Sequence, residues 1–291
     1  MSEPPATLPE EVIKVSAVNA VTGNTESAFV FSDDPDEINR VTNSLVFSNA
    51  TPLAIASLSA SDISNLAEKH SLLSLYSPST SVTTSNLLIF LPGSGESSPD
   101  NNYLALGKKF DLPQTGVLSV LGTEELPFDL GYTWYHDMDY ETGDNLDWGS
   151  AAKLESLKRS VRKMSTFLLE LHDTVHLENV FLFGYDQGAT VAMEVARENP
   201  LLGGVVAVCG GRPGAPGKVP VLQFVGGKDE LYTKAEAKVC RERYGKELVQ
   251  QFVGERRGHG MLSGVEETKA FHGFVAEKLK RRMPTLEKQC T

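Results

Sequence analysis

The 291-residue chain has few cysteines, fewer basic than acidic residues and no long apolar run. Its three cysteines, Cys209, Cys240 and Cys290, are odd in number and widely spaced. That pattern gives neither a disulfide framework nor a metal-ligand spacing, so a reducing compartment is expected. No stretch approaches the roughly 18 apolar residues of a membrane span. The start, Met1-Ser-Glu-Pro-Pro-Ala, lacks the basic region and apolar core of a secretory leader. Cys290 is penultimate, the wrong place for prenylation. A cytoplasmic protein is the expectation. Lys and Arg number 27 against 38 Asp and Glu, a net charge of −11. A surface of that sign disfavours nucleic acid and anionic lipid as partners. The Pro92-Gly-Ser-Gly-Glu-Ser97 loop lacks the Gly-Lys-Ser/Thr ending of a phosphate loop, so a nucleotide site is not expected. No cofactor and no metal is expected.

What is present suits a globular α/β chain. A chain of this length buries roughly three quarters of its unfolded surface and folds without staples. Residues 1–10, rich in Pro and Glu, are expected to be disordered. Residues 11–80 carry short apolar runs at Val12–Val15, Ala28–Phe31, Pro52–Ala56 and Leu72–Tyr76. Asp33-Asp-Pro-Asp-Glu-Ile38 reads as a helix start. This segment is expected to be a β-rich extension that either joins the main sheet or meets a protein partner. Ser77–Asn86 has linker composition. The main domain is assigned to 81–283 and a tail to 284–291.

Within the main domain, strands are expected at Asn86–Leu91, Gly116–Leu121, Phe181–Gly184, Gly204–Val208, Val219–Val225 and Leu248–Val253. Helices alternate with them. Over 151–173, Leu154, Leu157, Val161, Met164, Leu168 and Leu171 step by three and four, the spacing of one helix face. Such alternation implies a parallel sheet with helices on both faces. Residues 123–150 form a long loop with several aromatics, a length that usually signals function.

The chemically loaded stretch is Phe181-Leu-Phe-Gly-Tyr-Asp-Gln-Gly-Ala-Thr-Val-Ala-Met193. An apolar strand, a Gly-x-Asp-x-Gly turn and a small-residue helix form a nucleophile elbow with Asp186 at its tip. The bland alternative for Asp186 is a helix N-cap. Asp229, in Gly226-Gly-Lys-Asp229, and His259, in Gly258-His-Gly260, follow later strands in the chain order of a hydrolase triad. Ligands of open parallel sheets gather at such strand ends. Backbone amides of Ser94 or Gly95 and of Gln187 are the candidate oxyanion donors. Trp134 and Tyr135 either line a pocket or pin their loop.

From about residue 86 to 281 the chain resembles the acyl-protein thioesterase / phospholipase-carboxylesterase branch of the α/β-hydrolases. Leu91-Pro-Gly-Ser-Gly-Glu-Ser97, Trp134-Tyr-His-Asp137, Phe183-Gly-Tyr-Asp-Gln-Gly-Ala189, Gly226-x-x-Asp229 and Gly258-His-Gly260 carry the resemblance. It implies the α/β-hydrolase fold, and hydrolysis of esters or thioesters of a small acyl ligand. The branch uses Ser at the elbow, where this chain has Asp186. The helix dipole and nearby amides are expected to favour ionised Asp186, and two carboxylates would then flank His259. Neutral imidazole is what a serine mechanism requires. Two outcomes follow. Asp186 attacks carbon itself, as in haloalkane dehalogenases and epoxide hydrolases, or the site is a silent pocket that binds without turnover.

Overall fold

The computed structural model describes residues 13–18, 25–30, 59–80, 84–172 and 174–279. The expected disorder at 1–10, the helix start at Asp33–Ile38, the apolar run at Pro52–Ala56 and the tail at 284–291 lie outside these residues. The chain divides into two units, Met1–Ile55 and Ala56–Thr291. In the first, strands β1 (Ile13–Val18) and β2 (Thr25–Val30) pair antiparallel, Ile13 opposite Val30.

The second unit opens with helix α1 (Ala60–Lys69), capped by the Ser59 hydroxyl, which accepts from the Asp62 amide. Strands β3 (Ser74–Ser77), β4 (Asn86–Leu91) and β5 (Thr115–Val120) follow, with helix α2 (Asn102–Lys109) between the last two. A short hairpin, β6 (Glu124–Glu125) and β7 (Tyr132–Thr133), occupies the start of the long loop. Then come α3 (Ala151–Leu171), β8 (Val180–Tyr185), α4 (Gln187–Glu198) and β9 (Gly204–Val208). The unit continues with β10 (Val221–Gly226), α5 (Lys234–Tyr244), β11 (Val249–Gly254) and α6 (Val265–Ala276).

Seven strands form one sheet in the order β11-β10-β9-β8-β4-β5-β3. All its pairs are parallel except β3 with β5 at the edge. Residues 60–77 therefore belong to the sheet unit, and the part of the 11–80 extension that pairs apart from it is the β1–β2 hairpin.

Both sheet faces are apolar, which is why β4 and β8 read as unbroken hydrophobic runs. On β4, Leu87, Ile89 and Leu91 join one core cluster, and Leu88 and Phe90 join another. The first cluster takes Ile63 of α1, the Leu157–Leu171 face of α3, Ala189–Ala196 of α4 and Tyr244 of α5. The second takes Leu104 of α2 and Phe271, Phe274 and Val275 of α6. Helices thus cover both faces. The second core is aromatic: Phe90 stacks on Phe183 at 4.6 Å, and Phe110 lies 4.1 Å from Phe271. Fully buried Phe271 fastens α6, and with it the segment after β11, to the sheet. Phe271→Ala is expected to destabilise the protein by about 3–5 kcal/mol through lost burial and a residual cavity, measurable by urea unfolding.

Candidate active site

Because β4, β8, β9, β10 and β11 run parallel, their C-terminal ends share one edge of the sheet. Asp186 follows β8, Cys209 follows β9, Asp229 follows β10 and His259 follows β11.

The turn at Asp186 is set by close backbone packing. A side chain on Gly184 would strike Gly188 and Ala189 of α4, and one on Gly188 would strike the carbonyls of Leu91 and Pro92. Helix α4 can begin immediately after the strand only because both positions are glycine. Asp186 is left at φ 51° and ψ −115°. Its amide donates to the Val208 carbonyl at 3.0 Å, and its carbonyl accepts from Ala189 at 3.1 Å. The side chain makes no capping hydrogen bond to α4. Asp186 thus stands at the N-cap position of α4 without a side-chain cap, at the tip of the strand-to-helix turn.

The three predicted side chains come together. His259 Nδ1 lies 3.0 Å and 3.1 Å from the two oxygens of Asp229. Only a protonated Nδ1 can donate to a carboxylate, so this contact selects the tautomer. The Asp229 carboxylate is shielded from solvent and also accepts from the amides of Leu231 and Tyr232, each at 2.9 Å. Burial works to raise its pKa, but the Tyr232 amide, the Cys209 thiol, His259 and the Leu231 amide outweigh burial and hold it below the ordinary carboxylate range. On the other side of the ring, Nε2 is 3.7 Å from Asp186 Oδ1, beyond a hydrogen bond. The remaining oxygen, Oδ2, lies on the side of Gly93 in the oxyanion loop. The Gln187 amide, at the start of α4, works to lower the Asp186 pKa.

The Asp186 pKa is shifted in the direction opposite to the sequence expectation. Burial pushes its carboxyl up, opposed by the Gln187 amide and by His259 and reinforced by Asp137 and Asp229. Desolvation outweighs the helix N-terminus because two further carboxylates share the site.

Of the candidate oxyanion donors, Gly95 is excluded. Its amide donates to the Tyr132 carbonyl at 2.9 Å, leaving Ser94 as the candidate from that loop. The Gln187 side chain carries a role the sequence did not disclose. Its Oε1 accepts from Thr133 Oγ1 at 2.8 Å, Trp134 N at 3.0 Å and Tyr135 N at 3.4 Å. Its Nε2 donates to the Tyr135 carbonyl at 3.2 Å and to Asp137 Oδ2 at 2.9 Å. Trp134 is fully buried and donates its indole N–H to Pro92 O at 2.8 Å. It pins the loop and does not line an open pocket. Tyr135 is nearly buried and feels the charge of Asp186.

Behind His259 lies a group that sequence reasoning left unused. Arg257 Nη1 donates to Gly260 O at 2.5 Å and approaches Cys209 Sγ at 3.4 Å. Its Nε pairs with buried Glu267 at 2.9 Å, and Glu267 Oε2 accepts from the amides of Ser263 and Gly264. This pair braces the loop bearing His259. Burial pushes the Cys209 thiol up to about 11. The Cys209, Asp229 and His259 donor atoms lie within 4.8 Å of one another. Asp229 and His259 are paired with each other, and Cys209 Sγ lies against the Gly260 carbonyl and Arg257 Nη1.

No family model matches the chain. An uncharacterized hydrolase of Mycosarcoma maydis is 32% identical over 128 residues, 41% of this chain and 45% of that protein. The chain thus spans less than half the length of that relative. Among solved structures, the esterase PE8 superposes with a TM-score of 0.59 at 19% identity, covering 72% of this chain and 99% of that one. The acyl-protein thioesterase 2 of Zea mays gives 0.53 at 13% identity, covering 71% and 99%. The carboxylesterase of Bacillus cereus gives 0.52 at 19% identity, covering 74% and 99%. The fold is the α/β-hydrolase fold. No helix among the described residues is long and apolar enough to cross a membrane.

Two outcomes test this site. Gln187→Met is expected to loosen the 133–137 loop, at roughly 1–3 kcal/mol for each buried group left unpaired; hydrogen exchange of the Trp134 and Tyr135 amides reads it. Ionising Asp186 opposes folding, because its folded pKa is raised. The stability this group contributes is full below the unfolded value near about pH 4 and is lost as pH rises through the folded value. Asp186→Asn should therefore gain in melting temperature over the wild type more near neutral pH than near about pH 4.

Proposed function

We propose that this chain is a hydrolase of the esterase/thioesterase-like kind whose nucleophile, Asp186 in place of Ser, attacks a saturated carbon of its ligand. One observation carries the reading. The Asp186 carboxylate spans the site, with Oδ1 toward His259 Nε2 at 3.7 Å and Oδ2 on the oxyanion-loop side. With one oxygen facing the oxyanion loop, the other is free to attack.

The geometry supports the following sequence. Oδ1 of ionised Asp186 attacks an electrophilic carbon of the ligand. The carbon–oxygen bond forms as the bond to the leaving group breaks, and the leaving group departs with the electron pair. The resulting ester at Asp186 carries no charge. His259 Nε2 then takes a proton from a water molecule, whose oxygen attacks the Asp186 carboxyl carbon. The amides of Gln187 and Ser94 stabilise the oxyanion. The departing alkoxide takes the proton from His259, collapse leaves Asp186 as the carboxylic acid, and loss of that proton to solvent restores the carboxylate. Attack at a saturated carbon is favoured over attack at an acyl carbon, which would give a mixed anhydride no more stable than the substrate.

A raised Asp186 also favours a second reading, a pocket that binds and does not turn over, since a protonated carboxyl is a poor nucleophile. Single turnover in oxygen-18 water separates the two. The covalent reading expects label in the Asp186 peptide by mass spectrometry, and turnover that leaves this peptide unlabelled would falsify it. Asp186→Ser supplies a cheaper probe. With His259, Asp229 and the amides in place, it is expected to gain hydrolysis of short p-nitrophenyl esters. A folded variant with no gain would favour the silent pocket.

A further inference from the structure

Packed on Tyr135, which Gln187 holds beside the elbow, stands a cluster of two cations on one indole ring. Lys153, in the first turn of α3, is only 6% exposed, and its ammonium donates to Leu146 O at 2.9 Å. The ammonium lies 4.5 Å from the centre of the Trp148 ring and 5.8 Å from that of Tyr135. Arg212, in the loop after β9, places its guanidinium 5.0 Å from the same Trp148 ring. Trp148 in turn packs at 5.4 Å on Tyr135, whose backbone is clasped by Gln187 beside the elbow.

Lys153 is in electrostatic reach of Asp137, Arg212, Asp147 and Asp186, and Tyr135 of both Asp186 and Arg212. Indole, phenol, ammonium and guanidinium therefore form one cluster, whose Lys153 and Tyr135 lie within electrostatic reach of Asp186.

Donors on this wall exceed acceptors. An ammonium has three N–H donors and a guanidinium five. Lys153 uses one on Leu146, and Arg212 pairs through Nη2 with Glu236. Among the described residues no carboxylate lies within ion-pair distance of Lys153. A buried ammonium without a close counter-charge is costly, and burial lowers its pKa.

The nearest acids do not fill the gap. Asp137 is held by the Gln187 side chain, and burial pushes Asp186 toward its neutral form. Asp147 adds a further negative charge, outside ion-pair distance of Lys153.

We propose that Lys153 and Arg212, walled by Trp148 and Tyr135, form a subsite for a compact anionic oxygen group of the ligand, a carboxylate or a phosphate. The substrate class is then a short acid derivative: its anionic end sits on Lys153 and Arg212, and its electrophilic carbon faces Asp186. A long acyl chain does not suit a wall made of two cations. The subsite rests on the active-site reading of Asp186 only for the reacting end of the ligand.

Direct binding to the intact chain tests it without turnover. Titration calorimetry would use glutarate and inorganic phosphate as separate probes, with neutral glutaramide as control. Saturable binding of at least one anion is expected, with none of the diamide. Lys153→Met and Arg212→Met should each weaken that binding by about tenfold or more, the scale of one charge-assisted hydrogen bond. Which anion binds identifies the group.

Failure of both anions to bind the wild type overturns the subsite. So does undiminished binding in either folded variant. Esterase activity of Asp186→Ser is a separate readout. Activity without Lys153-dependent anion binding sinks the subsite alone, and anion binding with a silent Asp186→Ser sinks the hydrolase reading alone.

Discussion

The site depends on a steric constraint, the approach of backbone to backbone where β8 turns into α4. Gly184 rests on the first turn of α4, Gly188 on the carbonyls of Leu91 and Pro92, and Gly210 on the Asp186 carbonyl. Only hydrogen fits at each contact. Asp186 therefore sits at a positive φ and cannot relax. Asp tolerates this region better than most residues, so the turn holds Asp186 without losing its shape.

Gln187 links this turn to the loop above it. Its backbone amide faces the Asp186 carboxylate, and its side chain ties down Thr133, Trp134, Tyr135 and Asp137. The same residue thus links the start of α4 to the loop carrying Tyr135. With the indole bond from Trp134 to Pro92 it couples β4, β7 and β8 at the C-terminal edge of the sheet. Three carboxylates, Asp137, Asp186 and Asp229, share this edge. Their burdens differ: Asp229 is stabilised by amides and His259, whereas Asp186 bears the desolvation.

Much of the sheet was legible because both faces are buried. Runs such as Asn86–Leu91 and Phe181–Gly184 have no polar alternation to confuse them, and strand ends followed from Gly and Asp turns. Helix α3 was plain from its spacing. The elbow, Asp229 and His259 were legible because chain order and strand ends constrain such triads. Helix α1 was missed: its only fully buried apolar side chains are Ile63 and Ala67, too sparse to show a period. The β6–β7 hairpin is two residues per strand and leaves no periodic trace. What Gln187, Lys153 and Arg257 do depends on partners far away in sequence, and the protonation of Asp186 on burial and on the charge of Asp137. Local pattern holds neither.

The elbow has a kinetic side as well. The groups that enforce its geometry come from Leu91 and Pro92, from Trp134 and from Val208 to Gly210. Such contacts close long loops and reward the chain only after the sheet has assembled. The turn at Asp186 is thus an element expected to lock late, after β4, β8 and β9 are aligned. Substitutions there would act mainly on how fast the native state opens and leave its rate of formation nearly unchanged. The active centre would be the last part of the sheet to become rigid and the first to loosen.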